Sequence, residues 1–279
     1  MSLKKQEPKF INKISDSMSS KRPYILGIAG HDPSGGAGVL ADIKTFEAHK
    51  LLGLGVTTCI TYQNENEFTG VDWLDELQVI KQLDILLKQY HVEVVKIGLI
   101  KNIDVLEKLI DHIFKKEKTI KIIWDPILKA SAGFEFHNKL DKQQLERICK
   151  KIFLITPNWQ EANILYPSDT AYSSAQSLAT YCNVFLKGGH NEEKKGRDYL
   201  FSLTPALSKG EGENKGKVYP FKAKLISAFG KHGSGCVLSS AIAANLAKGF
   251  KLHRACLLGK NYVTSFLLSN KTKLGYHKI

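Results

Sequence analysis

A three-layer α/β fold, with a mostly parallel central sheet flanked by helices, is predicted by three features of the sequence. Short apolar runs rich in β-branched residues recur along the chain, nearly continuous rather than alternating, as expected of strands buried on both faces. Segments with apolar residues at helical spacing lie between them. Several runs end in glycine or polar residues, and in an open α/β sheet such endings converge outside the carboxyl ends of the strands on one ligand site.

The first run, YILGIAG at 24–30, passes through a glycine-rich turn into the helical stretch VLADIKTFEAHK. The second, GVTTCITYQN at 55–64, ends on Gln63 and Asn64. Leu74, Leu77, Ile80, Leu83 and Leu87 then follow at helical spacing, before the strand VEVVKIGL at 92–99. Val105, Leu106, Leu109, Ile110 and Ile113 mark the next helix, before IKIIWDPI at 120–127. IFLITPN at 152–158 and NVFLKGG at 183–189 complete the predicted parallel set. Residues 190–222, rich in Lys, Glu and Gly apart from a strand-like YLFSL, read as a surface hairpin or flap before the final helices. Residues 1–21 read as a mobile basic tail, and 22–279 as one domain.

Composition narrows the class. The 279 residues are 43% hydrophobic and 24% charged, enough to bury a large core, which argues against a disordered chain or a disulfide scaffold. The longest stretch without a charged side chain, 170–186, is broken by Ser, Thr, Tyr, Gln and Asn, so no membrane span is expected. No signal-like apolar segment opens the chain, and a cytoplasmic location is expected. The five cysteines, at positions 59, 149, 182, 236 and 256, form no C-x-x-C pair and read as reduced thiols. The net charge of +13 raises the possibility of a nucleic-acid partner. The basic residues are spread over the tail, helix faces and 190–224 rather than grouped with aromatics, so no nucleic-acid partner is expected. Steering of anionic nucleotides and phosphorylated substrates is the simpler reading of that charge.

Three groups of residues carry chemistry. The run from Gly30 to Gly38, GHDPSGGAG, precedes a helix, and its glycines permit close approach of backbone to a polar or anionic ligand. It contains neither a Walker A loop nor a dinucleotide fingerprint, and a ligand-free tight turn is the alternative. The run KHGSGC, from Lys231 to Cys236, leads directly into VLSSAIAANLAKG. Here Gly233, Ser234 and Gly235 would aim backbone N–H groups at one place and form an anion hole, where the helix dipole adds positive potential. Cys236 would occupy the first helical turn, a setting that lowers a thiol pKa, so it is a candidate for reactive chemistry; a glycine hinge with a packed thiol is the alternative. The third group is dispersed over strand ends: Asp42, Gln63, Asp125, Asn158, Glu161 and the run from Lys187 to His190. Asp125, Asn158 and Glu161 offer oxygens suited to Mg²⁺, directly or through water. Asn158 and Glu161 also fit a helix capping box.

The runs IAGHDPSGGAGVLADIKTF, ITYQN, VVKIGLI, WDPI, ITPNWQEA, LKGGH and HGSGCVLSSAIAANLAKG resemble, in order and spacing, the hydroxymethylpyrimidine and phosphomethylpyrimidine kinases of thiamin biosynthesis. These enzymes belong to the ribokinase-like superfamily, and the resemblance covers roughly residues 23–250. It implies an ATP- and Mg²⁺-dependent kinase, commonly a homodimer, that phosphorylates the pyrimidine and then its monophosphate. By the same resemblance Gly30 and Ala37 lie at the substrate with Asp42 nearby, Gln63 hydrogen-bonds the aminopyrimidine, and Leu99 and Ile127 pack on the ring. Asp125, Asn158 and Glu161 fall around the metal and phosphates. Lys187, Gly188, Gly189 and His232 fall on the nucleotide side, and Gly233 to Cys236 form the hole, with Cys236 in the position where many relatives hold an aspartate base. The family's lysine after the fourth strand is displaced here, and Lys129 is the candidate to replace it. Pyridoxal kinases of the same superfamily are the nearest alternative; Gln63, which can both donate and accept, favours the aminopyrimidine.

Overall fold

The computed structural model describes residues 22–128, 141–190, 196–203, 216–222 and 230–278. The proposed tail and Lys129 lie outside them. Among the described residues, nine strands form one sheet in the order β3-β2-β1-β4-β5-β6-β7-β8-β9. They are β1 (Tyr24–His31), β2 (Leu52–Gln63), β3 (Phe68–Trp73), β4 (Val92–Ile97), β5 (Lys121–Trp124), β6 (Leu154–Ile155), β7 (Asn183–Leu186), β8 (Asp198–Phe201) and β9 (Val218–Phe221). The strands from β2 to β7 are mutually parallel. At the two margins β3, β8 and β9 run antiparallel to their neighbours.

Eight helices among the described residues cover the sheet: α1 (Gly38–Ala48), α2 (Glu76–Gln89), α3 (Ile103–Lys116), α4 (Lys142–Lys151), α5 (Trp159–Leu165), α6 (Ala171–Leu178), α7 (Ser234–Ala247) and α8 (Leu252–Leu267). None is long and apolar enough to cross a membrane. Successive strand residues face opposite layers. Ile25, Val94, Ile123, Leu154 and Phe185 pack with Phe46, Val237 and Ile242 on the side of α1, α7 and α8. Leu26, Val95, Ile122, Ile155 and Val184 pack with Leu83, Leu109, Ile148 and Leu178 on the side of α2 to α6.

Helix starts differ according to which layer they serve. Asp75, Asn102, Asp141, Asn158 and Thr170 cap α2 to α6 with side-chain oxygens. Such caps satisfy amides that a helix start otherwise leaves without partners. By contrast α1 and α7 begin without a side-chain cap.

The stretch predicted as a surface flap supplies β8 and β9, while 191–195 and 204–215 lie outside the described residues. β8 is largely buried and extends the sheet rather than standing away from it. Two strands had weak sequence signals. β3 carries Gly70 and Asp72 in an apolar run, and β9 contains Pro220, which an edge strand tolerates.

Candidate active site

β1 is the switch point of the sheet: its two neighbours are β2 on one side and β4 on the other. A crevice opens there, outside the carboxyl ends of the strands, as expected of a doubly wound sheet. The cavity measures about 520 Å³. Gly30, Ala37, Thr61, Gln63, Leu99 and Ile127 line it from the loops and strands near β1, β2 and β4. Lys187, Gly189, Asp198 and Lys260 line it from the β7–β8 margin and α8. The strand order therefore puts the predicted ring contacts and the predicted nucleotide contacts Lys187 and Gly189 on different strand ends of one cavity, whereas His232, predicted on the nucleotide side, sits beside Asp32. Residues 233–236, at the start of α7, lie between the two strand ends: a side chain added at Gly233 would run into the Gly36 carbonyl, whereas one added at Gly235 would lie 3.5 Å from Lys187 Nζ.

Two glycines make this close approach possible. Gly38 and Gly233 have φ of +60° and +70°, and a β-carbon on either would collide with backbone, of Gly30 and Gly36 respectively. Asp32 ties the two turns together. It accepts from the Ser34 and Ala37 amides at 2.9 and 2.8 Å, and His232 Nε2 lies 2.8 Å from its Oδ2. Burial opposes the charge of Asp32, but the bonds from His232, Ser34 and Ala37 hold its carboxyl below the usual range. His232 does line the cavity, yet its Nε2 is engaged with Asp32. Sequence reasoning gave Asp32 no role; its place at the head of an Asp-Pro-Ser-Gly turn was the available signal.

The start of α7 has free donors. Among the described residues, the amides of Gly235 and Cys236 meet no acceptor, and the first intrahelical bond runs from the Val237 amide to the Gly233 carbonyl at 2.9 Å. These are the donors that the anion hole expected at this helix start would use. The expectation for Cys236 is corrected. Its thiol is 7% exposed, and burial together with Asp125 and Asp42 pushes it up to about 11 against the pull of Lys96. The helix start alone would lower it, but the low-polarity surroundings and two carboxylates outweigh that effect.

Asp42 is also corrected. It is fully buried and is not among the residues that line the cavity. Both of its oxygens lie 2.9 Å from Lys96 Nζ, and Oδ1 accepts from Ser240 of α7 at 2.6 Å. Burial pushes the Asp42 carboxyl up, while the bidentate ammonium favours its ionised form. Lys96 is equally buried; burial works against its charge, but Asp42 and the more distant Asp125 raise its pKa. A lysine directly after Val94 and Val95 and before Ile97, in a run whose only other charge is Glu93, was a legible signal of a buried ion pair.

Asp125 forms the next link. Its Oδ1 lies 2.6 Å from Lys187 Nζ and 3.0 Å from the Thr156 hydroxyl, and its Oδ2 accepts from Ser239 at 2.9 Å. Burial is again opposed, by Lys187 first, so its carboxyl stays below the usual range. Ser239 and Ser240 thereby pin the second turn of α7 to β5 and α1.

Asn158 and Glu161 form the capping box that the sequence allowed: the Asn158 side chain accepts from the Glu161 amide at 2.9 Å, and Glu161 Oε2 accepts from the Asn158 amide at 2.7 Å. Asn158's side-chain oxygen and both oxygens of Asp125 thus already accept hydrogen bonds, which favours the through-water form of the expected Mg²⁺ contacts over direct ligation by these two residues. No group of three or more His, Cys, Asp or Glu among the described residues is placed to hold a metal unaided. Glu161 differs. Its Oε1 has no partner among the described residues, and burial, with Asp125 nearby, pushes its carboxyl up to about 7 despite Lys187 at 3.7 Å. All three offer oxygens, the donor type a hydrated Mg²⁺ takes, although the Lys187 ammonium already lies beside Asp125 and Glu161.

At the β7–β8 margin the Gly188 amide donates to Asp198 Oδ1 at 2.7 Å, so this amide is already engaged. Asp198 pairs with Lys260, whose Nζ also donates to the Gly196 carbonyl at 2.7 Å. These two residues, 62 positions apart, hold the β7–β8 turn to α8; no local pattern announced them.

With this geometry in place, comparison with known proteins is decisive. The family described as phosphomethylpyrimidine kinase matches residues 32–279. The chain belongs to this family. As a family member it is a phosphotransferase. It is 32% identical over 258 residues to a hydroxymethylpyrimidine/phosphomethylpyrimidine kinase of Aquifex aeolicus, covering 90% of this chain and 96% of the relative. A thiamine biosynthesis protein of Saccharomyces cerevisiae is 31% identical over 257 residues, 88% of this chain but 44% of that longer protein. Among solved structures, the phosphomethylpyrimidine kinase of Clostridium difficile superposes with a TM-score of 0.69 at 28% identity, over 88% of this chain and 99% of its own. The ADP complex of Bacillus subtilis pyridoxal kinase does so with a TM-score of 0.72 at 25% identity, over 88% and 91%. The fold is ribokinase-like, as the sequence predicts.

Proposed function

We propose that this chain transfers the γ-phosphoryl group of ATP to the hydroxymethyl oxygen of hydroxymethylpyrimidine, and then to the phosphate oxygen of the monophosphate, giving the diphosphate for thiamin biosynthesis. The observation that carries this reading is the start of α7, where no side chain caps the helix and the Gly235 and Cys236 amides meet no acceptor among the described residues, between a ring-sized wall and a lysine-lined wall of one cavity. The wall of Gly30, Ala37, Leu99 and Ile127 would hold the pyrimidine face, and Gln63 its polar edge. The amides of Gly235 and Cys236, with Lys187 beside them, would stabilise charge on the equatorial oxygens of the transferring group.

The Cys236 thiol keeps its proton at neutral pH, so it shapes the hole rather than taking the proton of the acceptor hydroxyl. Phosphoryl transfer through a loose transition state needs little help from a base, and positioning plus charge stabilisation supply most of the acceleration. Glu161, and Asp125 and Asn158 through water, would hold Mg²⁺. When bound, that ion neutralises charge on the β- and γ-phosphates.

We further propose that residues 22–279 act as one cytoplasmic kinase domain that forms a homodimer. Ile60 and Tyr62, 38% and 50% exposed on β2, give it an apolar surface. ADP release should be measured with ATP and Mg²⁺ for hydroxymethylpyrimidine, its monophosphate and pyridoxal in parallel. Turnover of both pyrimidines is expected. Turnover of pyridoxal alone would overturn the substrate assignment while leaving the hole in place.

A further inference from the structure

Thr61 and Gln63 stand two residues apart on β2, so their side chains leave the strand on the same side, and both line the cavity. Thr61 is 2% exposed. Its Oγ1 lies 2.8 Å from the His31 carbonyl oxygen and 2.9 Å from Gln63 Nε2. A threonine hydroxyl has a single hydrogen, and a carbonyl can only accept. That hydrogen is therefore committed to His31, and Oγ1 presents lone pairs alone to Gln63. The Gln63 group facing it has to be the NH₂. With the amide turned over, two oxygens would meet with no hydrogen between them. This bonding argument settles an orientation that side-chain shape alone leaves ambiguous.

We infer that Thr61 is a positioning residue: it locks the Gln63 amide in one orientation and thereby sets which polar edge of the acceptor the site takes. This inference rests on the aminopyrimidine reading above. The lock leaves Gln63 Oε1 and its second N–H without partners among the described residues. Together they complement an edge with an amino group next to a ring nitrogen. The order matters because the hydroxymethyl group must also point to the start of α7, so a turned amide would set donor against donor. Pyridoxal has no amino group beside its ring nitrogen and so does not present that edge.

The test compares wild type, Thr61→Val, Thr61→Ser, Gln63→Leu and the Thr61→Val/Gln63→Leu double variant. Thr61→Val is expected to raise KM for hydroxymethylpyrimidine about tenfold with a smaller change in kcat, as for loss of a polar contact and its alignment. Thr61→Ser should restore KM, and Thr61→Val should add nothing in the Gln63→Leu background. A general disturbance of the β1 turn would instead multiply with Gln63→Leu, and that result, or an unchanged KM in Thr61→Val, would overturn the inference. A second readout needs no acceptor. The Gln63 side-chain amide signal, identified in ¹⁵N–¹H spectra by its loss in Gln63→Leu, should move in Thr61→Val and stay in Thr61→Ser. An unmoved signal would overturn the lock itself. A signal that moves in an enzyme unable to turn over the pyrimidine would uphold the lock and sink the substrate assignment.

Discussion

Gly235→Asp is expected to lower kcat by about a thousandfold or more while leaving the protein folded, because it removes an oxyanion-type site rather than a structural one. Gly235 has no positive φ, and a β-carbon there meets only Lys187 Nζ, at 3.5 Å. The backbone therefore accepts a side chain. An aspartate in the first turn of α7 also complements the helix dipole, so thermal stability should hold or rise slightly. Its carboxylate would nevertheless draw Lys187 away and place negative charge where the transferring phosphoryl group must sit. Gly235→Ala, which adds bulk without charge, should lose far less. Cys236→Ala should cost about tenfold or less, since a thiol held near 11 is not a base at neutral pH. Steady-state kinetics with melting curves for the three variants would check this. If Cys236→Ala proved as damaging as Gly235→Asp, the thiol rather than the hole would be the centre of the chemistry.

The largest expected effect on stability belongs to Lys96→Met. It removes the ammonium from a carboxylate, Asp42, that has no solvent exposure. Breaking a buried pair from one side typically costs about 3–5 kcal/mol, because the remaining charge is left uncompensated. In a chain of this size that corresponds to a fall in Tm on the order of 10 °C. Lys96→Met combined with Asp42→Ala should be less damaged than the sum of the two single variants, since neither charge then remains alone. Ser240 would also lose its link to an ionised partner, so α7 should loosen where the hole forms. Denaturant titration of the four proteins measures the coupling. Additive losses would mean that Asp42 and Lys96 act independently, and that Asp42 has some role other than the ion pair.

The sequence made the scaffold legible where a local pattern and the tertiary environment agree. β1, β4 and β7 are continuous apolar runs because helices cover both faces of the sheet there. β3 and β9 lie at the margins, where half of each strand meets solvent and the apolar signal fades. The cavity was legible for a related reason: topology forces the ends of parallel strands together, so Gly30, Gln63, Leu99 and Lys187 converge whatever the intervening helices contain. What escaped was any property set by partners distant in sequence. The face of α1 on which Asp42 lies is fixed by contact with β4 and α7, and the sequence around position 42 does not reveal Lys96. Cys236 reads as an activated thiol from its helix alone; Asp42 and Asp125, which reverse that reading, arrive from other strands and helices. Asn158 and Glu161 had two legible roles, and only the structure shows that the capping role already engages the Asn158 side chain.

The most direct test is a crystal structure of the protein with ADP, Mg²⁺, aluminium fluoride and hydroxymethylpyrimidine, a stable mimic of the transferring phosphoryl group with both substrates in place. The fluoroaluminate should lie about 3 Å from the Gly235 and Cys236 amide nitrogens, as hydrogen bonding requires. The pyrimidine should lie against Gly30 and Leu99 with its amino edge on Gln63. A fluoroaluminate bound away from the start of α7, or a pyrimidine seated outside the Gly30 wall, would contradict the placement of phosphoryl transfer at this helix.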